Sequence, residues 1–430
     1  MASNLVGKAW NYRWIIFWIL ASCYILVHFH RLCPAVLATD IMRDLEAGGT
    51  FAGFMAAAYF YPYAAMQLPA GLLSDSWGPR NTITFFSFIA FFGSLIMSMA
   101  PSVFWAITGR TLVGLGIAML FVPTMKILAE WFDVKDFAFV TGILMAIGGL
   151  GSFLATTPLV WLSSWIGWRF SFLVVGIFTL ILAVLVWTFV RDRPSDFGWP
   201  SPSGLESSEN PISFAKGIGI ILGCSRFWPM AILFFVNGGI FFSFGGIWGG
   251  PYLVQVYGLT KAQSGEILSM LAVGLILGSL FPSYLSSTIF RARKPIIVIS
   301  STVLFCITAV LAFHTDAIPL TALYLTYFGL GVFSGAIVVI GFASTKELFP
   351  IQIAGTATGL INLFPFVGGA IFQPLLGYCL EQHGYVDYAF TLAGYQHAFL
   401  ILFLSGAVAL IVSLFIKETV PPNNGIIISQ

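Results

Sequence analysis

Long apolar runs separated by short polar segments recur through the whole chain. Each run spans about twenty residues or more, the length of an α-helix that crosses a hydrocarbon core of about 30 Å. The first run is longer than the apolar core of a signal peptide, about 7–15 residues, and contains His28, His30 and Arg31, so we interpret it as a spanning helix. The predicted spans are residues 14–39, 50–73, 82–100, 103–130, 138–161, 168–190, 228–256, 262–286, 295–313, 318–345, 354–380 and 394–416.

These spans form two groups of six, separated by the polar residues 191–226. Within this linker, Asn210 and Pro211 predict the start of a short interfacial helix that ends near Arg226. We therefore predict an all-α membrane protein with twelve transmembrane helices in two pseudo-symmetric six-helix halves. Its predicted parts are an N-terminal half over residues 1–190, a cytoplasmic linker over 191–226, a C-terminal half over 227–420 and a flexible tail over 421–430.

The composition supports a membrane location and excludes several other classes of protein. Hydrophobic residues make up 58% of the 430 residues and charged residues only 8%, whereas a soluble domain carries about 25% charged residues. The net charge of +2 gives no indication of a nucleic-acid partner. The five cysteines are scattered without a C-x-x-C pair, and we predict no metal site, no cofactor and no enzymatic activity.

The distribution of Lys and Arg predicts the orientation of the chain. An even number of spans places both termini on one side, and thirteen basic residues fall in the segments on that side. Arg43, Arg169 and Lys261 fall in or beside the opposite segments. Because basic residues are enriched in cytoplasmic segments, we predict cytoplasmic termini in a plasma membrane, the inner membrane of a bacterium.

Matching segments indicate that the two halves are an internal repeat. A Thr-Gly pair at residues 141–142 returns at 358–359, and Glu-x-Phe at 130–132 returns at 347–349. Residues 167–173 are echoed at 394–400, and residues 52–53 correspond to 264–265. Duplicated halves are typical of carriers that expose a midplane substrate site to each side of the membrane in turn.

The segment that follows the second predicted span carries the most specific motif. Residues 71–80 read Gly-Leu-Leu-Ser-Asp-Ser-Trp-Gly-Pro-Arg and resemble the signature loop of the major facilitator superfamily, with Ser76 where that family often has Arg. We predict that Gly71 lets two helices approach closely, and that Asp75 and Arg80 make charge-assisted bonds across the cytoplasmic seam, as a lock that holds one access state and breaks in the other. A solvated turn without a gating role is the alternative. The candidate gating residues are Gly71, Asp75, Gly78 and Arg80.

Further motifs resemble those of one group within that superfamily, the anion–cation symporters and organophosphate permeases. They include Phe-His-Arg at residues 29–31, Met-Arg-Asp-Leu at 42–45, and Arg110 four residues before Gly114. The resemblance covers nearly the whole chain. It implies transport of a small organic anion such as a carboxylate, a sugar acid or a phosphate ester, although related branches carry amino acids.

Ionisable residues inside the spans are the strongest functional candidates, because a charge in hydrocarbon is costly. Arg31, Arg110 and Lys126 fall within predicted spans, whereas no Asp or Glu falls deep in one. An anionic substrate would supply the missing negative charge. Snorkelling to the interface is the alternative for Arg31, and an ion pair with Glu130 is the alternative for Lys126.

Other residues are predicted to complete the substrate site. Tyr24, His28 and Arg31 share one face of the first span at spacing i, i+4 and i+7, and Tyr63 is the preferred cavity residue of the second span. Asn237 lies near several Gly-Gly pairs, which predict a helix that bends and exposes backbone groups to the cavity. The candidate substrate-binding residues are Arg31, Arg110, Tyr63, His28, Tyr24, Asn237 and Lys126.

A coupling proton has three candidate carriers. The imidazole of His28 titrates near neutral pH, and Asp40 and Glu266 lie near the outer ends of their spans. Ile117 occupies a place where the resembled group often carries an acid. An exchanger or a facilitator without proton coupling is therefore an open alternative.

These observations together predict a secondary active transporter that moves a small organic anion by alternating access and works as a monomer. An amino-acid or small-peptide carrier of the same fold is an alternative, because the carboxylate of its substrate would still bind Arg31. A transporter-like solute sensor is a further alternative. It is less favoured, because neither the linker nor the tail resembles a signalling domain.

Overall fold

The computed structural model describes residues 2–199, 214–386 and 389–419, and nearly all of them are helical. The predicted tail, residues 421–430, and the predicted helix start at Asn210 lie outside the described residues. The first half contains α1 (Ala2–Leu32), α2 (Pro34–Asp44), α3 (Gly49–Ala57), α4 (Phe60–Ala65), α5 (Gln67–Ser76), α6 (Pro79–Ser98), α7 (Val103–Ala118), α8 (Phe121–Trp131), α9 (Val134–Leu154) and α10 (Thr157–Phe189).

The second half follows a short 3-10 helix, Pro194–Phe197, and a helix between the halves, α11 (Phe214–Gly223). A two-residue hairpin of β1 (Tyr385–Val386) and β2 (Ala389–Phe390) joins its last two helices. The helices of this half are α12 (Phe227–Ile240), α13 (Gly249–Gln255), α14 (Lys261–Tyr284), α15 (Lys294–Phe313), α16 (Leu320–Glu347), α17 (Ile351–Gln382) and α18 (Leu392–Phe415).

Ten helical stretches of the described chain are long and apolar enough to cross a membrane. The second predicted span consists instead of three short helices, α3, α4 and α5. Its sequence contains Pro62 and Pro69, which lack the backbone N–H that a continuous helix requires. The fifth predicted span contains a shorter apolar helix, Phe139–Leu154. The all-α class is confirmed, whereas the number of twelve crossings stays a prediction.

Several helices bend where the sequence weakens the helical backbone. The first predicted span breaks between α1 and α2, where Pro34 begins the second segment. α10 turns at Gly167, whose φ of 76° and ψ of 166° are not helical. Between α12 and α13 the chain widens into a π-helical segment, Phe241–Trp248. The Gly-Gly pairs predicted an irregular helix here, and the π-helical segment confirms it. π-helical turns occur frequently at functional sites.

The two halves repeat the same capping arrangement on equivalent helices. In the first half, the Asp192 carboxylate accepts a hydrogen bond of 2.7 Å from the backbone N–H of Arg80, at the start of α6. In the second half, the Glu418 carboxylate accepts bonds of 2.9 and 3.0 Å from the backbone N–H groups of Arg293 and Lys294, at the start of α15. A carboxylate stabilises the positive end of a helix dipole, so each half closes on itself in the same way.

The alternation of helix directions gives the molecule two distinct ends. One end carries the last residue of α5, the first residue of α6 and the linker, and we call it the terminal side. The opposite end, which carries the hairpin and the start of α14, is the far side. The outer surface between them exposes large apolar side chains, as expected for contact with lipid. Examples are Trp18, Phe104, Trp165, Leu325 and Phe415.

Candidate substrate cavity

A cavity of about 440 Å³ lies between the two halves and is lined by residues of both. The first half contributes side chains from α1, α4, α8 and α9, and the second half contributes side chains from α12, α14, α16, α17 and the π-helical segment. The cavity has the size of a small-molecule site. It also lies where carriers built from repeated halves bind their substrates.

Arg31, one residue before the end of α1, provides the cavity with a positive charge. Its Nη2 donates a hydrogen bond of 2.6 Å to the Tyr63 hydroxyl, and its Cζ lies 4.9 Å from the centre of the Phe366 ring. No acidic side chain lines the cavity in the described part of the chain. The guanidinium is therefore held in place by aromatic neighbours and keeps its charge unneutralised.

His28 and Tyr24 lie on the same face of α1 as Arg31 and also line the cavity. The His28 Nε2 lies 3.5 Å from the Arg31 Nη1, and the His28 ring packs edge-on against Tyr24, with 4.8 Å between the ring centres. The Tyr24 hydroxyl contacts the sulfur of Met145 at 3.4 Å. One face of the first span thus presents a guanidinium and an imidazole side by side.

The second half adds a polar position around Asn237, which is buried and lines the cavity. The Asn237 Nδ2 lies 3.4 Å from the backbone oxygen of Ser334. The Asn237 Oδ1 and the Ser334 Oγ have no hydrogen-bond partner among the described residues. Unsatisfied buried polar atoms are costly, and here they lie in a cavity wall where a ligand or a water molecule would bind them.

Two predicted substrate-binding residues lie outside this cavity. Arg110 is fully buried, donates a bond of 3.0 Å to the backbone oxygen of His30 and faces the Tyr59 ring at 5.1 Å. Lys126 lies on the terminal side, where its Nζ is 2.5 Å from the Asp75 Oδ1 and 3.2 Å from the Ser74 backbone oxygen. The sequence placed both residues within predicted apolar spans, but it did not indicate which way each side chain points.

The ion pairs on the terminal side differ from those that the sequence predicted. Asp75 pairs with Lys126, and the Arg80 side chain donates to the Trp187 backbone oxygen at 2.5 and 3.0 Å. These partners all belong to the first half, so the lock across the seam stays a prediction for the other access state. Lys126 forms an ion pair, as its alternative predicted, but the partner is Asp75, while Glu130 lies 3.8 Å from the Arg193 Nε.

The glycines of the signature loop have different surroundings. A Cβ at Gly71 would have no neighbour within 4 Å in this structure, so the predicted close helix approach at Gly71 stays a prediction for the other access state. Gly78 has a φ of +90°, and a Cβ there would lie 2.7 Å from the Asp192 Oδ2. Burial raises the pKa of the Asp192 carboxyl. Gly78 is therefore required both by backbone conformation and by the capping carboxylate.

On the far side, the two halves are joined by polar contacts. Asp40 forms an ion pair with Lys261, and the Glu381 carboxylate accepts a hydrogen bond of 2.9 Å from the Thr50 backbone N–H. Glu266 is exposed and lies 3.4 Å from the Tyr324 hydroxyl. Neither Asp40 nor Glu266 lines the cavity. Of the three predicted proton carriers, all of which lie in the described part of the chain, His28 is the one that lines the cavity.

Backbone atoms also meet directly along this far-side seam, by which we mean the contact of α2 and α3 with α13 and α17. A Cβ at Gly53 would lie 2.6 Å from the Gln373 backbone oxygen, and a Cβ at Gly377 would lie 2.3 Å from that of Gly49. On the terminal side, by contrast, Gly71 and Gly142 have open space around them among the described residues. The close backbone contacts between the two halves therefore lie toward the far side, and these two glycines have none.

The structure adds functional residues that the sequence did not single out. Phe366 packs on the Arg31 guanidinium, and Asn362 donates a bond of 3.1 Å to the Gln67 side chain across the two halves. Asp192 and Glu381 are capping carboxylates whose partners are 112 and 331 residues away. Asp192 stands between Arg191 and Arg193 directly after the sixth predicted span, and this cluster of charges at a span end could have marked it. No local signal marks Glu381.

Comparison with known proteins agrees with this architecture. The sequence profile of the Major Facilitator Superfamily matches residues 17–371 and, in an overlapping match, 245–428. The probable sulfoacetate transporter SauU of Cupriavidus necator is 23% identical, with 89% of this chain and 90% of that protein covered. The probable galactarate/D-glucarate transporter GarP of Escherichia coli is 25% identical, with 87% and 90% covered.

A solved structure shows the same fold. It is a bacterial homologue of the human lysosomal transporter Spinster in an inward-facing, unoccupied conformation, with a TM-score of 0.74 and 18% identity. The similarity covers 94% of this chain and 97% of that one. Because the family profile spans most of the sequence, the chain belongs to the Major Facilitator Superfamily and is a multi-pass membrane transporter.

Proposed function

We propose that this transporter moves a small organic anion across the membrane by alternating access, and that Arg31 binds the anionic group. The observation that carries the proposal is the position of Arg31. Its guanidinium lines the cavity between the halves, and no acidic side chain of the described chain lines that cavity with it. An anion bound there would neutralise a charge that is costly to leave unpaired within a membrane.

The neighbours of Arg31 support this role. Tyr63 fixes one side of the guanidinium through its hydroxyl at 2.6 Å, while Tyr24 and His28 extend the same wall. Asn237 lies on the wall of the other half and offers an acceptor oxygen to the substrate. We assign Arg110 a positioning role, because it holds the backbone of α1 one residue before Arg31.

The names of the relatives support the broad substrate class, a small organic anion. The names of two of them specify sulfoacetate and galactarate or glucarate, which are small organic anions. At 23–25% identity they support the class of substrate and not a particular compound.

We infer that His28 carries a coupling proton if transport is proton-driven. Its Nε2 lies 3.5 Å from the Arg31 Nη1, so an imidazolium would repel the guanidinium in the empty cavity. A bound anion would offset this repulsion, which links proton binding to substrate binding. Asp40 and Glu266 are assigned to the far-side surface and not to the proton route.

The excess of basic residues in the terminal-side segments supports cytoplasmic termini. With that orientation, the close contacts on the far side support an inward-facing state, in which the cavity would open to the cytoplasm. We propose that the protein works as a monomer in the cytoplasmic membrane of a bacterium, because one chain supplies both halves of the cavity.

Counterflow in proteoliposomes tests the proposed function. Protein in liposomes loaded with an unlabelled organic acid should accumulate the labelled acid, and Arg31→Gln should reduce this uptake at least tenfold. Arg43→Gln removes an exposed arginine outside the cavity and is the matched control, which should keep uptake within twofold.

Two outcomes would overturn the proposal. Equal uptake by Arg31→Gln and by the unmodified protein would remove Arg31 from the binding site. Uptake of amino acids or dipeptides, with none of simple organic acids, would favour the alternative substrate class.

A further inference from the structure

We infer that the substrate is a monoanion with a largely apolar body, and that polyhydroxylated or doubly charged acids are poor substrates. This inference rests on the proposed function, since it assumes that Arg31 binds the anionic group. It concerns the rest of the substrate, which the remaining cavity walls must accommodate.

The positive charge in the cavity is confined to one end. Among the described lining residues, Arg31 is the one Lys or Arg, and His28 stands beside it, with 3.5 Å between Nε2 and Nη1. Both groups therefore act on the same carboxylate or sulfonate. A second anionic group at the other end of the substrate would have no counter-charge, and an unpaired charge is strongly disfavoured in an apolar environment.

The walls beyond Arg31 are mostly apolar. They consist of aromatic and aliphatic side chains from both halves, with Phe366 against the guanidinium itself. An apolar body buried among them would be removed from water favourably, whereas hydroxyl groups would lose hydrogen bonds to water. The main apolar contributors from the second half are Phe241, Phe242, Leu275, Ile276, Val338 and Phe342.

Most polar side chains of the cavity already bind other protein groups. The Asn362 Nδ2 donates to Gln67 at 3.1 Å, and the Tyr24 hydroxyl contacts the Met145 sulfur. The Ser279 hydroxyl donates to the Leu275 backbone oxygen at 2.8 Å. These contacts use the hydroxyl protons of Tyr24 and Ser279 and one N–H of Asn362, so few donors remain there for the several hydroxyls of a sugar acid.

One polar position remains at the second half. The Asn237 Oδ1 and the Ser334 Oγ are buried and have no partner among the residues that the structure describes. They lie together, because Asn237 also contacts the Ser334 backbone oxygen at 3.4 Å. The cavity thus fits an acid with one anionic group and an apolar body, with a polar substituent placed at Asn237 and Ser334.

A matched series of acids tests this inference on the purified full-length protein. The series contains cyclohexanecarboxylate, its neutral amide, the polyhydroxylated monoacid glucuronate and the polyhydroxylated diacid galactarate. Affinities come from thermal shift titrations and from competition for counterflow. We expect cyclohexanecarboxylate to bind at least tenfold more tightly than glucuronate and galactarate, and at least tenfold more tightly than its amide.

The controls separate failure of this inference from failure of the proposed function. Tighter binding of glucuronate or galactarate than of cyclohexanecarboxylate would overturn the inference and leave the anion transporter intact. Equal binding of the acid and its amide would overturn the proposed function. Binding of none of the acids would contradict both.

A variant of the apolar wall gives a second readout. Val338→Thr changes a cavity-lining methyl to a hydroxyl at nearly constant volume, and Val338→Ala removes volume without adding polarity. We expect Val338→Thr to shift the preference between cyclohexanecarboxylate and glucuronate at least threefold toward glucuronate, and Val338→Ala not to shift it. An unchanged preference in Val338→Thr, with an unchanged melting temperature, would contradict an apolar substrate site at this wall.

Discussion

Glu381 of α17 accepts a hydrogen bond from the backbone N–H of Thr50, 2.9 Å away, and this bond joins the two halves at the far side. Thr50 is the second residue of α3, so the carboxylate lies at the positive end of that helix. A Cβ at Gly48 would lie 2.6 Å from the Glu381 Oε1, so a larger residue there would displace this carboxylate. The bond therefore stabilises the state that is closed toward the far side.

Removal of this carboxylate should open the far side. We expect Glu381→Ala to shift the population toward the far-side-open state by about 1–2 kcal/mol, because a charged hydrogen bond to a helix end is lost. Distances between spin labels at Arg43→Cys and Ala262→Cys, one in each half and both at exposed positions, would report this shift. An unchanged distance distribution would contradict a sealing role for Glu381.

Two glycine substitutions should have different effects on the distance between the spin labels at positions 43 and 262. Gly53→Ala would place a methyl 2.6 Å from the Gln373 backbone oxygen and should therefore favour the far-side-open state. Gly71→Ala meets nothing within 4 Å in the described chain and is the matched control, with no increase in far-side opening expected. The same pair of spin labels measures both variants. Equal opening in both would show that the seam does not depend on the backbone contact at Gly53.

Arg110→Met should affect stability more than substrate affinity. The loss of the Arg110 guanidinium leaves the buried carbonyl of His30 without a charged donor. We therefore expect the free energy of unfolding to fall by about 2–4 kcal/mol. Affinity for the transported acid should fall less than threefold, in contrast to Arg31→Gln. Thermal unfolding and ligand titration of both variants check this. A loss in Arg110→Met as large as that in Arg31→Gln would place Arg110 at the substrate.

Lys126→Gln should have little effect on substrate affinity. The pair of Lys126 with Asp75 is largely solvent-exposed, with 70% of the Asp75 side chain accessible, and such pairs contribute about 0–1 kcal/mol. Ligand titration should therefore give an affinity within twofold of the unmodified protein. A tenfold loss would return Lys126 to the list of substrate-binding residues.

Asp44 should make stability depend on pH at the acidic end. A hydrogen bond of 2.8 Å from the Trp168 indole and the neighbouring Arg169 guanidinium lower the pKa of the Asp44 carboxyl. The stabilisation is therefore fully present above the unfolded value of about 3.9 and is lost as the pH falls through the lower folded value.

Asp44→Asn provides the comparison. Its melting temperature should lie below that of the unmodified protein near neutral pH, and the difference should shrink toward zero as the pH falls below about 4. A difference that stays constant over this range would show that the Asp44 charge does not contribute to stability.

The fold class was predictable from sequence because the cost of burying polar backbone in lipid allows few architectures. Alternating apolar runs, the basic bias and the half-to-half repeat all depend on local composition. The breaks in the second predicted span were less predictable. Hydropathy averages over a window, so it does not register what Pro62 and Pro69 do to the backbone.

The substrate site was predictable in part for a similar reason. The spacing of Tyr24, His28 and Arg31 placed them on one helix face, and all three line the cavity. Arg110 and Lys126 carry the same charge in equally apolar surroundings, yet their partners are a carbonyl of α1 and a carboxylate of α5. Such partners depend on how helices pack, and no pattern within one helix specifies that packing.

The far-side seam has a consequence for how the transporter responds to its medium. Its tightest contacts join backbone to backbone, as at Gly250, where a Cβ would lie 1.9 Å from the Ala35 oxygen. Contacts of this kind carry no net charge, and parting them requires no side chain to change rotamer. Salt therefore acts on the rim, where Asp40 and Lys261 are partly exposed, and hardly on the seam itself. The dependence of the two access states on ionic strength thus comes from a few charged contacts, Asp40 with Lys261 and Glu381 with Thr50, and not from the backbone contacts of the seam.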